Sequence, residues 1–286
     1  MKIDVVITYH PKDRDLLLGC LQGIRRHVHF ARVLVVCRRE CKAEVESAGA
    51  YFVDEDSVVD GLSYGSFSGD RWGWYFQQIL KLGIADRVDT DYYLVVDADT
   101  VFLRDVSFLN SRGKPLYVTG NEYHQPYFDV FEQLLGFSAN REYSFIAHQM
   151  IYNRSIVREM RCRFRDCSPW YMNIVRYVEP QSPWFSISQF SEQETYGHYL
   201  KACHPDEVNI RPLKWGNIPF LPTKNLRFLL ARYYDYCSFH LYNRRKPGPF
   251  LSPAWLSYNL GVGRILLGLE LRKLHLISRW GDPACI

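Results

Sequence analysis

Four pairs of aspartates stand one residue apart in this 286-residue chain: Asp13/Asp15, Asp54/Asp56, Asp89/Asp91 and Asp97/Asp99. Two carboxylates at that spacing can grip a divalent cation when a turn aims both the same way, and hard oxygen ligands suit Mn2+ or Mg2+. Only Asp97-Ala98-Asp99 directly follows a run fit for a buried strand, Tyr93-Leu94-Val95-Val96, and is itself followed by apolar Val101, Phe102 and Leu103. Charges set between two buried segments are costly unless paired or metal-bound. Asp97 and Asp99 are therefore the candidate metal ligands, able through the ion to clamp a diphosphate. The competing reading is a pair of aspartates that cap a turn.

The elements that must position this pair come before it. Ile3 to Thr8 is an apolar β-branched run, Asp13 to His27 has helical periodicity, and Val33 to Val36 is apolar again, which is βαβ grammar. A helix at Lys42 to Ala48, a strand near Tyr51 to Val53, a helix at Trp72 to Ala85 and a strand at Tyr92 to Val96 continue the alternation. Such a chain is α/β, with a central mostly parallel sheet and ligands beyond the carboxyl ends of its strands. After Asp99 the pattern loosens, with a strand expected at Pro115 to Thr119, a helix near Tyr127 to Leu135 and a strand at Ser144 to Tyr152. Helices follow at Ser155 to Phe164, Trp170 to Tyr177 and Glu192 to Cys203. The Pro-rich stretches 180–184, 212–222 and 247–253 read as loops.

Without internal repeat or linker, 1–286 reads as a single catalytic domain. Its parts are 1–110, 111–250, and a C-terminal amphipathic helix and tail at 251–286. The net charge of +4 is modest and the cations are scattered, so a footprint for nucleic acid is missing. Eight cysteines without a CxxC pair point to free thiols in a reducing compartment. The first residues lack the marks of a signal peptide. Leu260 to Ile277 is broken by Arg264, Glu270, Arg272 and Lys273, too charged to span a bilayer. The expected location is cytoplasmic, with packing of that helix on the domain set against peripheral contact with a membrane.

The segment Tyr92-Tyr93-Leu94-Val95-Val96-Asp97-Ala98-Asp99-Thr100-Val101-Phe102-Leu103 resembles the metal-binding DxD segment of GT-A-fold glycosyltransferases. With Trp72-Gly73-Trp74-Tyr75-Phe76-Gln77-Gln78-Ile79-Leu80-Lys81 upstream, the chain is similar to small GT-A enzymes of bacterial surface polysaccharides and of the glycans of large algal viruses. The resemblance extends over roughly residues 1 to 245, and it implies a nucleotide-sugar-binding half at 1–110 and an acceptor-binding and metal-completing half at 111–250. It implies a Rossmann-like nucleotide-diphospho-sugar transferase fold, and a viral source would put the protein in the host cytoplasm.

What the resemblance implies for single residues is uneven. In retaining GT-A enzymes a late His completes the metal shell and a Lys six residues on touches the donor phosphate. His240 and Lys246 have that spacing, although Gly248 stands where the usual Trp would be. A neutral imidazole suits Mn2+, and an ammonium neutralises a departing diphosphate; an unrelated surface His beside Arg244-Arg245-Lys246 is the other reading. Thr8 and Tyr9 end the first strand, where the nucleotide base and ribose lie, and Tyr9 would stack on uracil or be an ordinary strand-end tyrosine. Gln77, Gln78 and Lys81 are donor-side candidates or solvated helix residues, while Trp72 and Trp74 are packing residues. His148 and Gln149 sit in an apolar run that resembles the strand facing acceptor and sugar, or form a hydrogen-bonded core pair. Glu192 and Glu194 open a helix after Ser191, where inverting enzymes place the general base and where acids also cap a helix.

The expected activity is metal-dependent transfer of a hexose, or of a pentose such as xylose, from a nucleotide-sugar to a hydroxyl of an oligosaccharide or glycan. A UDP-sugar is the favoured donor and inversion the favoured outcome. The His240/Lys246 spacing pulls toward retention instead. A sugar-1-phosphate nucleotidyltransferase is the second reading, although Tyr9-His10-Pro11-Lys12 offers no Gly-rich phosphate loop; a non-catalytic nucleotide-sugar or glycan-binding module is the third.

Overall fold

The computed structural model describes residues 2–69, 71–165, 168–178, 188–240, 245–246 and 248–274. In chain order the elements are β1 (Asp4–Thr8), α1 (Arg14–His27), β2 (Val33–Cys37), α2 (Lys42–Ser47), β3 (Tyr51–Asp54), α3 (Trp72–Gly83), β4 (Tyr92–Val96) and β5 (Thr100–Phe102). They continue with α4 (Gln125–Leu135), β6 (Gln149–Asn153), α5 (Arg154–Cys162), α6 (Tyr171–Val178), α7 (Glu192–Cys203), β7 (Trp215–Asn217), α8 (Lys224–Leu230), β8 (Tyr236–Ser238) and α9 (Pro253–Lys273). The chain divides into two compact units, each drawn from separated stretches.

The first unit comprises Met1–Tyr9, Phe30–Val96 and Ser107–Pro212. Its sheet runs in the order β3-β2-β1-β4-β6. The first four strands are parallel and β6 is antiparallel to β4, so the expectation of a mostly parallel α/β sheet is met. β1 and β2 are buried along their whole length, which is why they read as unbroken apolar runs rather than alternating ones. Strand order reverses between β1 and β4, the topological switch of such sheets. Tyr93 and Tyr152 sit opposite each other in the β4–β6 register and stack at 5.2 Å.

Two expected strands differ. Residues 115–119 form only isolated bridges, Leu109 with Pro115 and Tyr117 with Ile210. The expected strand at 144–152 begins only at Gln149, because side chains of α7 take the Phe145 and Ala147 backbone N–H groups that a ladder would use.

The second unit comprises His10–His29, Asp97–Val106 and Leu213–Ile286. Its three-stranded sheet has the order β5-β8-β7, with β5 antiparallel and β7 parallel to β8. None of these three-residue strands, nor α8, is predicted, and β7 lies inside a stretch read as a loop. Leu16, Val101, Phe220, Leu230, Phe239 and Tyr258 are among the side chains of its core. Gly23 lets α1 lie directly on β5: a Cβ there would stand 2.9 Å from the backbone N and O of Phe102. The C-terminal helix starts at Pro253, with Ser252 as its cap. It buries Tyr258 and Leu269 and leaves Leu256, Leu260, Leu267 and Leu274 exposed. Among the described residues no helix is long and apolar enough to cross a membrane. The loop expected at 180–184, residues 241–244, Pro247 and the tail from 275 lie outside the described residues.

Candidate functional site

In the second unit the carboxylate pair occupies a tight turn. The Thr100 N–H donates to the Asp97 carbonyl at 2.9 Å, so Asp97 is the first and Asp99 the third residue of a four-residue turn that leads into β5. The turn reading and the ligand reading are thus compatible: the turn is what makes a one-residue spacer useful. Both carboxylates act on one buried neighbour. The Cys20 thiol on α1 is pushed well up by burial, then by the charges of Asp99 and Asp97, and it donates weakly to the Asp97 carbonyl. The two acids make the surroundings of this thiol locally negative.

The small sheet brings His240 to this turn. Thr100 pairs with Ser238 across the antiparallel β5–β8 ladder, and their hydroxyls lie 2.7 Å apart. The Phe239 N–H then donates to the Asp99 carbonyl at 3.0 Å. One residue later, His240 Nδ1 stands 3.3 Å from Asp99 Oδ2, with the two side chains only 20% and 14% exposed. His240 Nε2 lies 3.1 Å from Asn217 Oδ1, at the end of β7. Among the described residues Asp99 Oδ1 is buried without a hydrogen-bond partner, and an oxygen left so is expensive unless something positive reaches it.

These residues fit a divalent cation. Their donors are a carboxylate and an imidazole, both suited to Mn2+. Two neighbouring ligands of one ion stand roughly 3 Å apart when each is about 2.1 Å from it, close to the 3.3 Å found between Asp99 and His240. Among the described residues no group of three His, Cys, Asp or Glu side chains gathers into a ready-made cluster. Lys246 is not placed beside these residues by any contact; its ammonium forms an ion pair with Asp15, at the start of α1.

In the first unit the polar candidates group around the start of α7. Lys81 Nζ and Glu192 Oε1 are 3.0 Å apart, and both side chains are almost wholly buried. The Glu192 N–H donates to Gln78 Oε1 at 3.4 Å. Lys81 and Gln78 are therefore not solvated helix residues, but partners of the residue expected to act as base; Gln77 is half-buried. Glu194 accepts from the Ser144 hydroxyl and, at 3.0 Å, from the Phe145 N–H. Its other contact is His198 Nε2 at 3.0 Å, one helical turn on. Gln193 Oε1 accepts from the Ala147 N–H at 3.0 Å. The close approach of α7 to this segment needs Gly197, whose Cβ would overlap the Phe145 ring.

The remaining candidates of this unit are mixed. His148 adopts φ +58, a left-handed conformation uncommon for a residue with a side chain and found where strain serves a site. Gln149 is buried at the head of β6, opposite Val96. Thr8 is buried too. Tyr9 corrects the stacking expectation: its ring is 2% exposed and its hydroxyl donates to Glu44 Oε1 at 3.0 Å. A ring so enclosed has no free face for a base. Trp72 is a packing residue as expected, in contact with Phe67 and Phe76.

The profile of a protein family, described as a family of unknown function (DUF6492), matches residues 9–213. The chain belongs to this family. No curated protein matches it. Among solved structures, the DUF6492 chain is similar to mouse xyloside xylosyltransferase 1 in its apo form, with 10% identity and a TM-score of 0.45 over 83% of this chain and 97% of that one. It is similar to the galactosyltransferase LgtC in complex with donor and acceptor sugar analogs, with 14% identity and a TM-score of 0.46 over 92% of this chain and 96% of that one. A third is the bifunctional glycosyltransferase WbbM, apo, with 14% identity and a TM-score of 0.43 over 83% of this chain and 45% of that one.

Two residues of the DUF6492 chain that touch the site went unpredicted. Cys20 looks like any apolar helix position, and only its nearness to the Asp97 carbonyl marks it. Asn217 sits in Trp215-Gly216-Asn217, within a Pro-rich stretch, and no sequence pattern ties it to a histidine 23 residues on.

Proposed function

We propose that this protein is a metal-dependent glycosyltransferase of the GT-A type, moving a sugar from a nucleotide-sugar, with a UDP-sugar preferred, to a hydroxyl of a glycan. The observation that carries this reading is the 3.3 Å approach of His240 Nδ1 to Asp99 Oδ2. The two residues are 141 positions apart, and the DxD resemblance had named both as ligands of one ion. Mn2+ or Mg2+ held there would draw negative charge off a leaving diphosphate. Asp99 and Asp97 supply carboxylate oxygens from their turn, and His240 supplies ring nitrogen from just past the end of β8. Lys246 is the cation proposed for the donor phosphates, by exchange of its exposed ion pair with Asp15. Within an inverting reaction the base is Glu192 rather than Glu194, since three groups of the protein already take up the Glu194 carboxylate. Gln149 and the strained His148 are proposed for the sugar or acceptor side.

Incubation with Mn2+ and a panel of UDP- and GDP-sugars tests this. Slow donor hydrolysis or transfer is expected, lost on chelation and reduced at least about 100-fold in Asp99→Ala. Turnover indifferent both to chelators and to Asp99→Ala would sink the proposal. The anomeric configuration of the first product, read by NMR, decides the role of Glu192: retention removes it.

A further inference from the structure

We propose that Asn217 is a positioning residue, which fixes the tautomer and direction of the His240 ring so that Nδ1 offers its lone pair to the cation shared with Asp99. This rests on the metal reading above. Asn217 Oδ1 stands 3.1 Å from His240 Nε2. A side-chain carbonyl oxygen only accepts, so the ring nitrogen facing it carries the proton. The ring so held turns its other nitrogen, Nδ1, toward Asp99 Oδ2 at 3.3 Å. A histidine that coordinates through Nδ1 carries its proton on Nε2, where Asn217 Oδ1 stands to accept it.

The surroundings hold Asn217 where this requires. β7 runs parallel to β8 with Asn217 opposite Ser238, and the Ile218 N–H donates to the Ser238 carbonyl at 2.8 Å. The preceding Gly216 lies against the Tyr234 ring, from which a Cβ would be 3.0 Å. The strand is thus seated tightly beside the one that delivers His240. A hydrogen-bonded partner on the far nitrogen of a metal-binding histidine commonly governs affinity about 10–100-fold.

The test begins with the metal-free wild type, using 15N-labelled histidine and long-range 1H–15N correlation, with the His240 signals assigned from His240→Gln. A proton on Nε2 of the neutral ring is expected; a neutral ring with its proton on Nδ1 overturns the proposal. Mn2+ affinity, measured by electron paramagnetic resonance, is then compared among variants. Asn217→Leu and the smaller Asn217→Ser should each bind Mn2+ about 10–100-fold more weakly. Asn217→Asp, which keeps an acceptor oxygen, should bind near the wild-type level. Wild-type affinity in Asn217→Leu and Asn217→Ser, or equal loss in all three, overturns it. If Asp99→Ala and His240→Gln lose Mn2+ while Asn217→Leu does not, only this inference falls. If the wild type itself binds no Mn2+, the metal reading falls and this one with it.

Discussion

Lys81 with Glu192 and Asp99 with His240 are both contacts between an acid and a nitrogen-bearing side chain, at 3.0 and 3.3 Å. They are built for opposite ends. Lys81 and Glu192 are almost wholly buried, and the lysine ammonium supplies the carboxylate with a cation from within the protein. Asp99 meets a ring whose outer nitrogen is already engaged by Asn217, and a second oxygen of Asp99 is left without a hydrogen-bond partner among the described residues. On the function proposed above, the first contact organises one unit and the second takes a cation. Burial and nearness alone therefore do not identify a binding site. What separates the two is whether the protein supplies all the charge the contact needs.

The largest expected effect tests the closed member. Lys81→Met leaves a buried carboxylate without its cation and should cost about 3–5 kcal/mol of stability. Lys81→Met with Glu192→Gln should recover most of that loss. Chemical denaturation measures both, and a mild single variant would mean that solvent reaches Glu192 and that the contrast is false.

A smaller effect is expected from Gly23→Ala, which sets a methyl 2.9 Å from the backbone of Phe102 and so displaces the strand that follows Asp99. The cost should be about 1–3 kcal/mol, typical of overpacking, together with weaker Mn2+ binding. A stable variant with unaltered metal affinity would show that the seating of β5 on α1 does not set the open contact.

The smallest effect concerns an intermediate case. Glu55 has a cation within reach, Arg38 at 3.6 Å, yet burial outweighs it and raises the carboxyl from 4.5 to about 7. The folded state holds this proton more tightly than the unfolded chain. The stability it confers is therefore full below pH 4.5 and is lost as pH rises through about 7. Glu55→Gln should flatten that part of the stability profile and melt roughly 2–4 °C higher above neutrality, as scanning calorimetry across the range would show. An unchanged profile would mean that Arg38 closes the charge after all.

The two units also differ in how far the chain announces them. β1, β2, β3 and β4, and α1, α3 and α7, are legible because each carries a full run of apolar residues or helical periods. β5, β7 and β8 are three residues each, too short for periodicity, and their partners lie more than 100 residues away or inside a Pro-rich stretch. Val101 and Phe102 were legible as buried, but not as a strand. The candidate site follows the same division. Asp97 and Asp99 stand out because a buried strand precedes them. His240 depended on the resemblance, and Asn217 on neither. Glu192 and Glu194 illustrate the remaining ambiguity: acids in a first helical turn look alike in sequence, while in space one meets Lys81 and the other a hydroxyl, a backbone N–H and a histidine.

The late pairing of β5 with β8 has a consequence for synthesis. As the chain leaves the ribosome, Asp99 emerges some 140 residues before the histidine that faces it. Until Tyr236–Ser238 follows, β5 has no strand beside it and presents bare backbone donors and acceptors. On the proposed metal reading, a nascent chain already carrying the whole five-stranded sheet has no place to capture an ion. It gains one only when Tyr236–Ser238 has emerged, and the edge that invites mispairing is covered in the same step.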